Sequence, residues 1–316
     1  MESSGLIGAN TLPAYLRELG VAPRDVDIRA RTLGGGISNV VLLAEWDGGG
    51  VVVKQPLAEL AVDDVWEFDR DRVFIERDCM ALLAERLPGS APEGVFSDEE
   101  RFVFGMTVAP PGGVEWRQEH DAGIADPART ELAAELLSGM HAIDDHATAE
   151  RFAASWPLVQ GRVDPYHRTA AAAHPELADA IEAEVERLLA VRRCLVHGDF
   201  SPKNLIAYPD RMLMLDFEVA HFGDPAFDVA FLLALVVLDG TRHGDDAFFA
   251  EARRFWRTYA GPADEAAVVA ELGCIVLARI DGKSRLPLAA DVQDRGRAHA
   301  RHLLIDRPGL EDALTP

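Results

Sequence analysis

A chain of 316 residues with 48% hydrophobic content is long enough for two domains, each with its own core. Its 31 Lys and Arg against 53 Asp and Glu leave a formal charge of −22, which excludes nucleic acid as the general partner because phosphate backbones demand clustered cations. Three scattered cysteines lack the C-x-x-C spacing of a zinc or redox site, and the N-terminus M-E-S-S-G-L-I-G-A-N lacks the basic and long apolar regions of a secretion signal, so a cytoplasmic protein is expected.

Residues 28–33 (I-R-A-R-T-L) and 40–46 (V-V-L-L-A-E-W) read as strands. Between them Gly34, Gly35, Gly36, Ile37, Ser38 and Asn39 form a loop whose missing side chains let backbone N–H groups approach phosphates. This loop has neither the G-x-G-x-x-G order nor the G-K-[ST] ending of the standard phosphate loops, so its weight comes from position. Asp47 to Gly50 then close a hairpin. V-V-V-K ends a β-branched run on Lys54, placed to offer an ammonium to phosphates. In the next segment Ile75, Cys79, Met80, Leu83 and Leu87 recur at helical spacing. Glu76 on that helix is expected to fix Lys54 by ion pairing, with Glu85 as the alternative. R-F-V-F-G-M-T-V-A-P-P-G-G reads as a strand and a break, and divides the chain into 1–108 and 109–316.

The second part reads as mostly helical. Leu132, Leu136, Leu137, Met140 and Ile143 make one apolar stripe, and Leu177, Ile181, Val185, Leu188 and Leu189 another. L-V-H-G-D-F-S-P-K-N-L-I then places His197, Asp199 and Asn204 on a polar loop between two short apolar strands, where catalytic groups are usually presented. After the apolar run 212–215, the alternation of a strand end is expected to point Asp216 and Glu218 to the same side. Mg²⁺ takes hard oxygen ligands and keeps several waters, so Asn204, Asp216 and Glu218 are its candidate ligands. Asp199 precedes Asn204 by five positions, stays free of the metal and can orient a substrate hydroxyl. G-D-P-A-F-D leads to Asp228 and to the apolar run 229–238, far short of the roughly 20 residues that cross a bilayer, so it reads as a buried helix. A-R-I-D-G-K-S-R-L, with Arg279, Asp281, Lys283 and Ser284, fits an acceptor pocket or a helix end equally well.

H-G-D, Asn five residues later, D-x-E after a strand and G-D-P-x-x-D together resemble the aminoglycoside phosphotransferase and choline kinase superfamily, relatives of the eukaryotic-type protein kinases, over most of the chain. The resemblance implies an α+β, bilobal protein-kinase-like fold, with a β-rich nucleotide-binding lobe and a mostly helical C-terminal lobe. It implies ATP and Mg²⁺ as cofactors, Asp199 as catalytic base, Asn204 and Asp216 as metal ligands, and His197 as its structural partner in the catalytic loop. Asp228 becomes a buried acceptor bracing that loop, and the backbone of Met106, Thr107, Val108 and Ala109 an adenine-binding hinge. D-x-E in place of D-x-D is closer to choline kinases and methylthioribose kinases. The expected activity is transfer of a γ-phosphoryl group to the hydroxyl of an unassigned small molecule. An aminoglycoside is the alternative acceptor, and a nucleotide- or metabolite-binding protein without catalysis is the alternative of another class.

Overall fold

The computed structural model describes residues 5–34, 38–60 and 66–315. Gly35, Gly36 and Ile37 of the expected glycine loop lie outside the described residues. The chain forms two compact units, the first ending at Pro111 and the second beginning at Gly112.

The first unit is built on a five-stranded antiparallel sheet in the order β1-β2-β3-β5-β4. It runs α1 (Leu12–Glu18), β1 (Arg29–Thr32), β2 (Asn39–Trp46), β3 (Gly49–Pro56), α2 (Arg72–Arg86), β4 (Gly94–Asp98) and β5 (Val103–Met106). Strands β2 and β3 are joined by only two residues, Asp47 and Gly48, because Trp46 already pairs with Gly49. Gly48 takes φ +84°, the left-handed conformation that a tight hairpin demands and that glycine adopts without strain. Leu42, Ala44, Val51, Val53 and Val103 project from the sheet into one core with Leu12 and Leu16 of α1. Helix α2 buries Val73, Cys79, Met80 and Leu83, and Leu87 caps its C-terminus.

The second unit begins with β6 (Val114–Glu115), α3 (Trp116–Asp121), α4 (Pro127–His141), α5 (His146–Arg151) and the short α6 (Trp156–Leu158). A π-helical segment, Val159–Arg168, interrupts the regular winding and carries Pro165, which has no N–H to give an α-helical ladder. Then come α7 (Thr169–Ala173), α8 (Ala178–Ala190), β7 (Cys194–Val196), β8 (Leu205–Ala207), β9 (Met212–Met214) and β10 (His221–Gly223). Helices α9 (Ala226–His243), α10 (Asp246–Thr258), α11 (Glu265–Asp281), α12 (Ala290–Asp306) and α13 (Leu310–Ala313) complete the unit.

Helix starts obey the chemistry of their first residues. Asp126, Asp145, Asp245 and Asp264 each accept a backbone N–H at the first turn of α4, α5, α10 and α11. On α4 the buried face is Thr130, Ala133, Ala134, Leu137 and Met140, whereas Leu132 and Leu136 of the expected stripe are only half-buried. The difference has a physical cause: Thr130 Oγ1 donates to the buried Glu251 of α10, and the alanines beside it allow that helix close approach. Helix α9 is buried all round from Ala226 to Gly240. No helix among the described residues is long and apolar enough to cross a membrane. Cys79, Cys194 and Cys274 are buried free thiols.

Candidate active site

In the first unit Lys54 sits on β3 between Val41 of β2 and Phe104 of β5. Its Nζ lies 2.7 Å from Glu76 Oε2, and the two residues are 5% and 1% exposed. A buried ammonium is tolerated only with such a partner, so α2 fixes the Lys54 charge in place. Ser38 and Asn39 are buried, and Asn39 Nδ2 donates to Ser38 Oγ over 2.8 Å. Arg72, which no sequence pattern singles out, is fully buried and donates to the carbonyls of Ser38 and Leu57, tying the end of the glycine loop to the end of β3. Gly34 is exposed at the start of that loop.

Met106 ends β5 and is buried. Thr107 N–H donates to Glu93 O over 2.8 Å, and Thr107 Oγ1 accepts from Glu93 N–H. That N–H is therefore committed to β-type pairing, and of the Thr107 backbone only the carbonyl is left for the expected adenine contact. Val108 and Ala109 come next, Val108 exposed and Ala109 half-buried.

In the second unit the polar loop 197–204 hangs between two small sheets, β10-β7 on one side and β6-β8-β9 on the other. Gly198 has φ +77°, and a Cβ there would meet Val219 O at 2.6 Å, so only glycine fits this turn. The loop is suspended from Asp228 at the first turn of α9. This fully buried carboxylate accepts the backbone N–H groups of His197 and Gly198 at 2.7 and 2.8 Å, and faces His141 Nε2 at 3.1 Å. Burial opposes its ionisation, but His141 and His197 outweigh that and hold the carboxyl below its ordinary value.

His197 has both ring nitrogens engaged. Nε2 faces Leu215 O at 3.1 Å, and Nδ1 accepts from Asp199 N–H at 3.2 Å, which requires the neutral tautomer protonated on Nε2. Burial lowers its pKa in agreement. A ring committed to two backbone groups has no atom left for a reactant, so His197 positions the loop and is not itself a reacting group.

Asp199 is 3% exposed and receives three side chains. Arg162 Nη2 lies 2.9 Å from Oδ1, Lys203 Nζ 3.1 Å from Oδ2, and Asn204 Nδ2 donates to Oδ2 over 2.8 Å. Burial disfavours the ionised carboxyl, yet Arg162 and Lys203 overcome this and keep its pKa below the usual carboxylate range. Arg162 also donates to Gly198 O and Gly161 O. Burial opposes its charge in turn, and Asp199 foremost, with Tyr166, Glu218 and Asp216, more than compensates. Arg162 escapes a reading of the sequence because it lies 37 residues before Asp199 on the π-helical segment, where no hydrophobic period marks it.

Asn204 ends a 3₁₀ turn, and its carbonyl accepts Leu215 N–H, which brings Asp216 beside it. Asp216 adopts φ +71°, so the strand alternation expected to align Asp216 with Glu218 is broken at Asp216 itself. Left-handed backbone is a costly conformation for most side chains and is held here by the pairing of β8 with β9 just before it. Glu218 is buried two residues on, and its field and that of Asp216 both act on Arg162. Among the described residues no group of three or more His, Cys, Asp or Glu could hold a metal. The residue types nevertheless suit a hard cation that keeps its waters: Asn204 Nδ2 is turned onto Asp199, so Oδ1 is the oxygen this side chain has for a metal, and the backbone of Asn204 is tied to Leu215, next to Asp216 in the chain.

A sequence model of the phosphotransferase enzyme family matches residues 29–267. Methylthioribose kinase 1 of Oryza sativa subsp. japonica is 24% identical over 291 residues, an alignment that spans 81% of this chain and 66% of that protein. The chain thus covers less than two-thirds of this relative's length. The ethanolamine kinase of Plasmodium vivax superposes with a TM-score of 0.61 at 13% identity, covering 95% of this chain and 90% of that one. An aminoglycoside phosphotransferase superposes with a TM-score of 0.57 at 17% identity, covering 96% of this chain and all of the other, 100%. These superpositions establish the fold as α+β and protein-kinase-like, with a β-sheet unit followed by a helical one.

Proposed function

Because the chain belongs to the phosphotransferase enzyme family, we propose that it transfers the γ-phosphoryl group of ATP to a hydroxyl of a small molecule, with Mg²⁺ as the metal. The observation that carries this reading is the buried Asp199 carboxylate, paired with Arg162 at 2.9 Å and bound by Asn204 at 2.8 Å. A carboxylate kept ionised in a nearly buried loop is suited to accept a hydrogen bond from an acceptor hydroxyl, and then its proton as the new O–P bond forms and the bond from the γ-phosphorus to the β,γ-bridging oxygen breaks, with ADP leaving.

Asp228 and His197 hold the backbone of that loop, and Gly198 permits its turn. Asn204 and Asp216 would hold Mg²⁺, with Glu218 nearby; the ion supplies neutralisation of phosphate charge when bound. In the first unit Lys54, fixed by Glu76, offers its ammonium to the nucleotide phosphates, and the loop ending at Ser38 and Asn39 offers backbone N–H groups. The backbone of Val108 and Ala109 is assigned to adenine.

The related proteins named above differ in acceptor, so the family alone leaves the acceptor unassigned. The test is ADP release from Mg·ATP across a panel of methylthioribose and other sugars, hydroxy acids, amino alcohols and aminoglycosides, with Asp199→Asn as the blank. An acceptor-dependent signal that disappears in Asp199→Asn is the expected result. ATP binding without ADP release for any acceptor would favour a binding protein over an enzyme.

A further inference from the structure

The polar segment after α11 has a specific place in the second unit. Gly282 N–H returns to Ala278 O, Leu286 N–H to Arg279 O, and Lys283 N–H to Pro165 O, so the turn is laced onto the π-helical segment that carries Arg162 and Tyr166. Arg279 thereby reaches Tyr166: its Nη1 donates to Tyr166 OH over 3.0 Å and to Ser284 Oγ over 2.6 Å. The guanidinium carbons of Arg162 and Arg279 lie 5.4 and 5.8 Å from the centroid of the same Tyr166 ring. That ring is itself locked by stacking on Phe231 at 6.0 Å.

The two arginines differ in one respect. Arg162 is paired with Asp199, whereas Arg279 has no carboxylate within ion-pairing distance among the described residues, and its Nε is buried without a partner. Asp281, the acid nearest to it in the chain, is occupied by Arg297 and His174. Asp164, on the same segment, pairs with Arg168, and the acids whose fields act on Arg162 are Asp199, Glu218 and Asp216, already assigned to the base and the metal. A half-buried guanidinium held by two hydroxyls and by no carboxylate retains capacity for an anion, and its planar fork matches a carboxylate or phosphate. In a chain of net charge −22, a cation left unneutralised one aromatic ring away from Arg162 calls for an explanation that solvation of a helix end does not give.

We propose that Arg279, held against Tyr166 and Ser284, receives an oxyanion of the acceptor, so that the acceptor is a hydroxyl compound bearing a carboxylate or a phosphate. This rests on the phosphotransferase reading and narrows it: cationic acceptors such as amino alcohols and aminoglycosides are disfavoured by the same guanidinium.

The test separates binding from turnover. Gluconate and glycerol 3-phosphate serve as carboxylate and phosphate probes, with glucose and choline as neutral and cationic controls, titrated calorimetrically into the full chain. Saturable binding of at least one anionic probe is expected, weakened roughly 10- to 100-fold in Arg279→Met, as loss of hydrogen bonds to a charged group implies. Arg279→Lys should restore part of it, and ATP affinity, measured on the same samples, should persist as the check on folding. Failure of both anions to bind, or binding indifferent to Arg279→Met, would overturn the proposal. ADP release is then measured separately. Arg279-dependent anion binding without ADP release for any compound would remove the phosphotransferase reading alone, whereas ADP release confined to choline or aminoglycosides would keep that reading and remove this one.

Discussion

The Arg162 guanidinium stands 2.9 Å from the Asp199 carboxylate, with both side chains nearly excluded from solvent. The arginine also donates to Gly198 O, so one side chain sets both the charge of Asp199 and the shape of the turn that presents it. Arg162→Met should therefore do two things. Asp199 loses the stronger of the two cations that hold its pKa down, so the acidic limb of the pH profile of kcat/KM moves to higher pH, while the wild-type enzyme remains active into more acidic solution. The buried carboxylate keeps only Lys203 as a cation, so the fold is also destabilised, by at most about 3–5 kcal/mol. An acidic limb that stays in place would show that Asp199 does not titrate in the reaction.

Asp199→Asn removes the proton acceptor but keeps the shape, and should lower kcat by roughly 10²- to 10⁴-fold, the usual contribution of a positioned base. Nucleotide affinity, read by calorimetry, should survive. Near-wild-type turnover would take Asp199 out of the reaction.

Legibility of the site in the sequence depended on distance along the chain. H-G-D, Asn204, D-F-E and G-D-P-x-x-D lie within about one loop and two strands of each other, so residue type and spacing were sufficient to mark them. The Lys54–Glu76 pair was readable because a β-branched run ends on Lys54 and the apolar spacing of Ile75, Cys79, Met80 and Leu83 defines which face α2 buries. Arg162 and Arg72 were not readable, since a buried arginine is paired by tertiary contacts to residues 37 and 34 positions away. Strand alternation failed at Asp216 because it assumes extended backbone, and a single left-handed residue redirects the chain beyond it.

The Lys54–Glu76 pair makes a prediction in the first unit. Glu76→Gln removes the carboxylate charge that lies 2.7 Å from a buried ammonium, so stability should fall, by up to about 3–5 kcal/mol. A weaker apparent affinity for ATP should accompany it if Lys54 meets phosphates. Urea denaturation and ATP titration on the same variant check both, and unchanged ATP saturation in Lys54→Met would assign the phosphate contact to another cation.

His120 gives the fold a dependence on pH apart from catalysis. It is fully buried, with Nδ1 3.1 Å from Asp239 Oδ2 and Nε2 3.7 Å from Glu251 Oε2. Burial opposes its charge, but the two acids prevail and raise its pKa above the ordinary value. A raised folded pKa means that this contribution to stability is fully present below the unfolded value of about 6.5 and is lost as pH rises through the folded value. The Tm of the wild-type protein should decline as pH is raised from about 6.5, and His120→Gln should flatten that decline. An identical slope in the variant would show that His120 is neutral in the native state.

Asp216 offers the most specific test of the metal site, because its backbone and its carboxylate can be separated. Asn tolerates the left-handed φ of +71° nearly as well as Asp, so Asp216→Asn should preserve the fold and change only the ligand charge. Asp216→Val should be destabilised as well, by about 1–2 kcal/mol, since a β-branched residue is strained there. With Asp216→Asn the Mg²⁺ concentration required for half-maximal turnover should rise, and metal-dependent nucleotide binding should weaken in parallel. A Tm close to wild type together with an unchanged Mg²⁺ requirement would exclude Asp216 as a ligand and leave its left-handed backbone as a purely structural device.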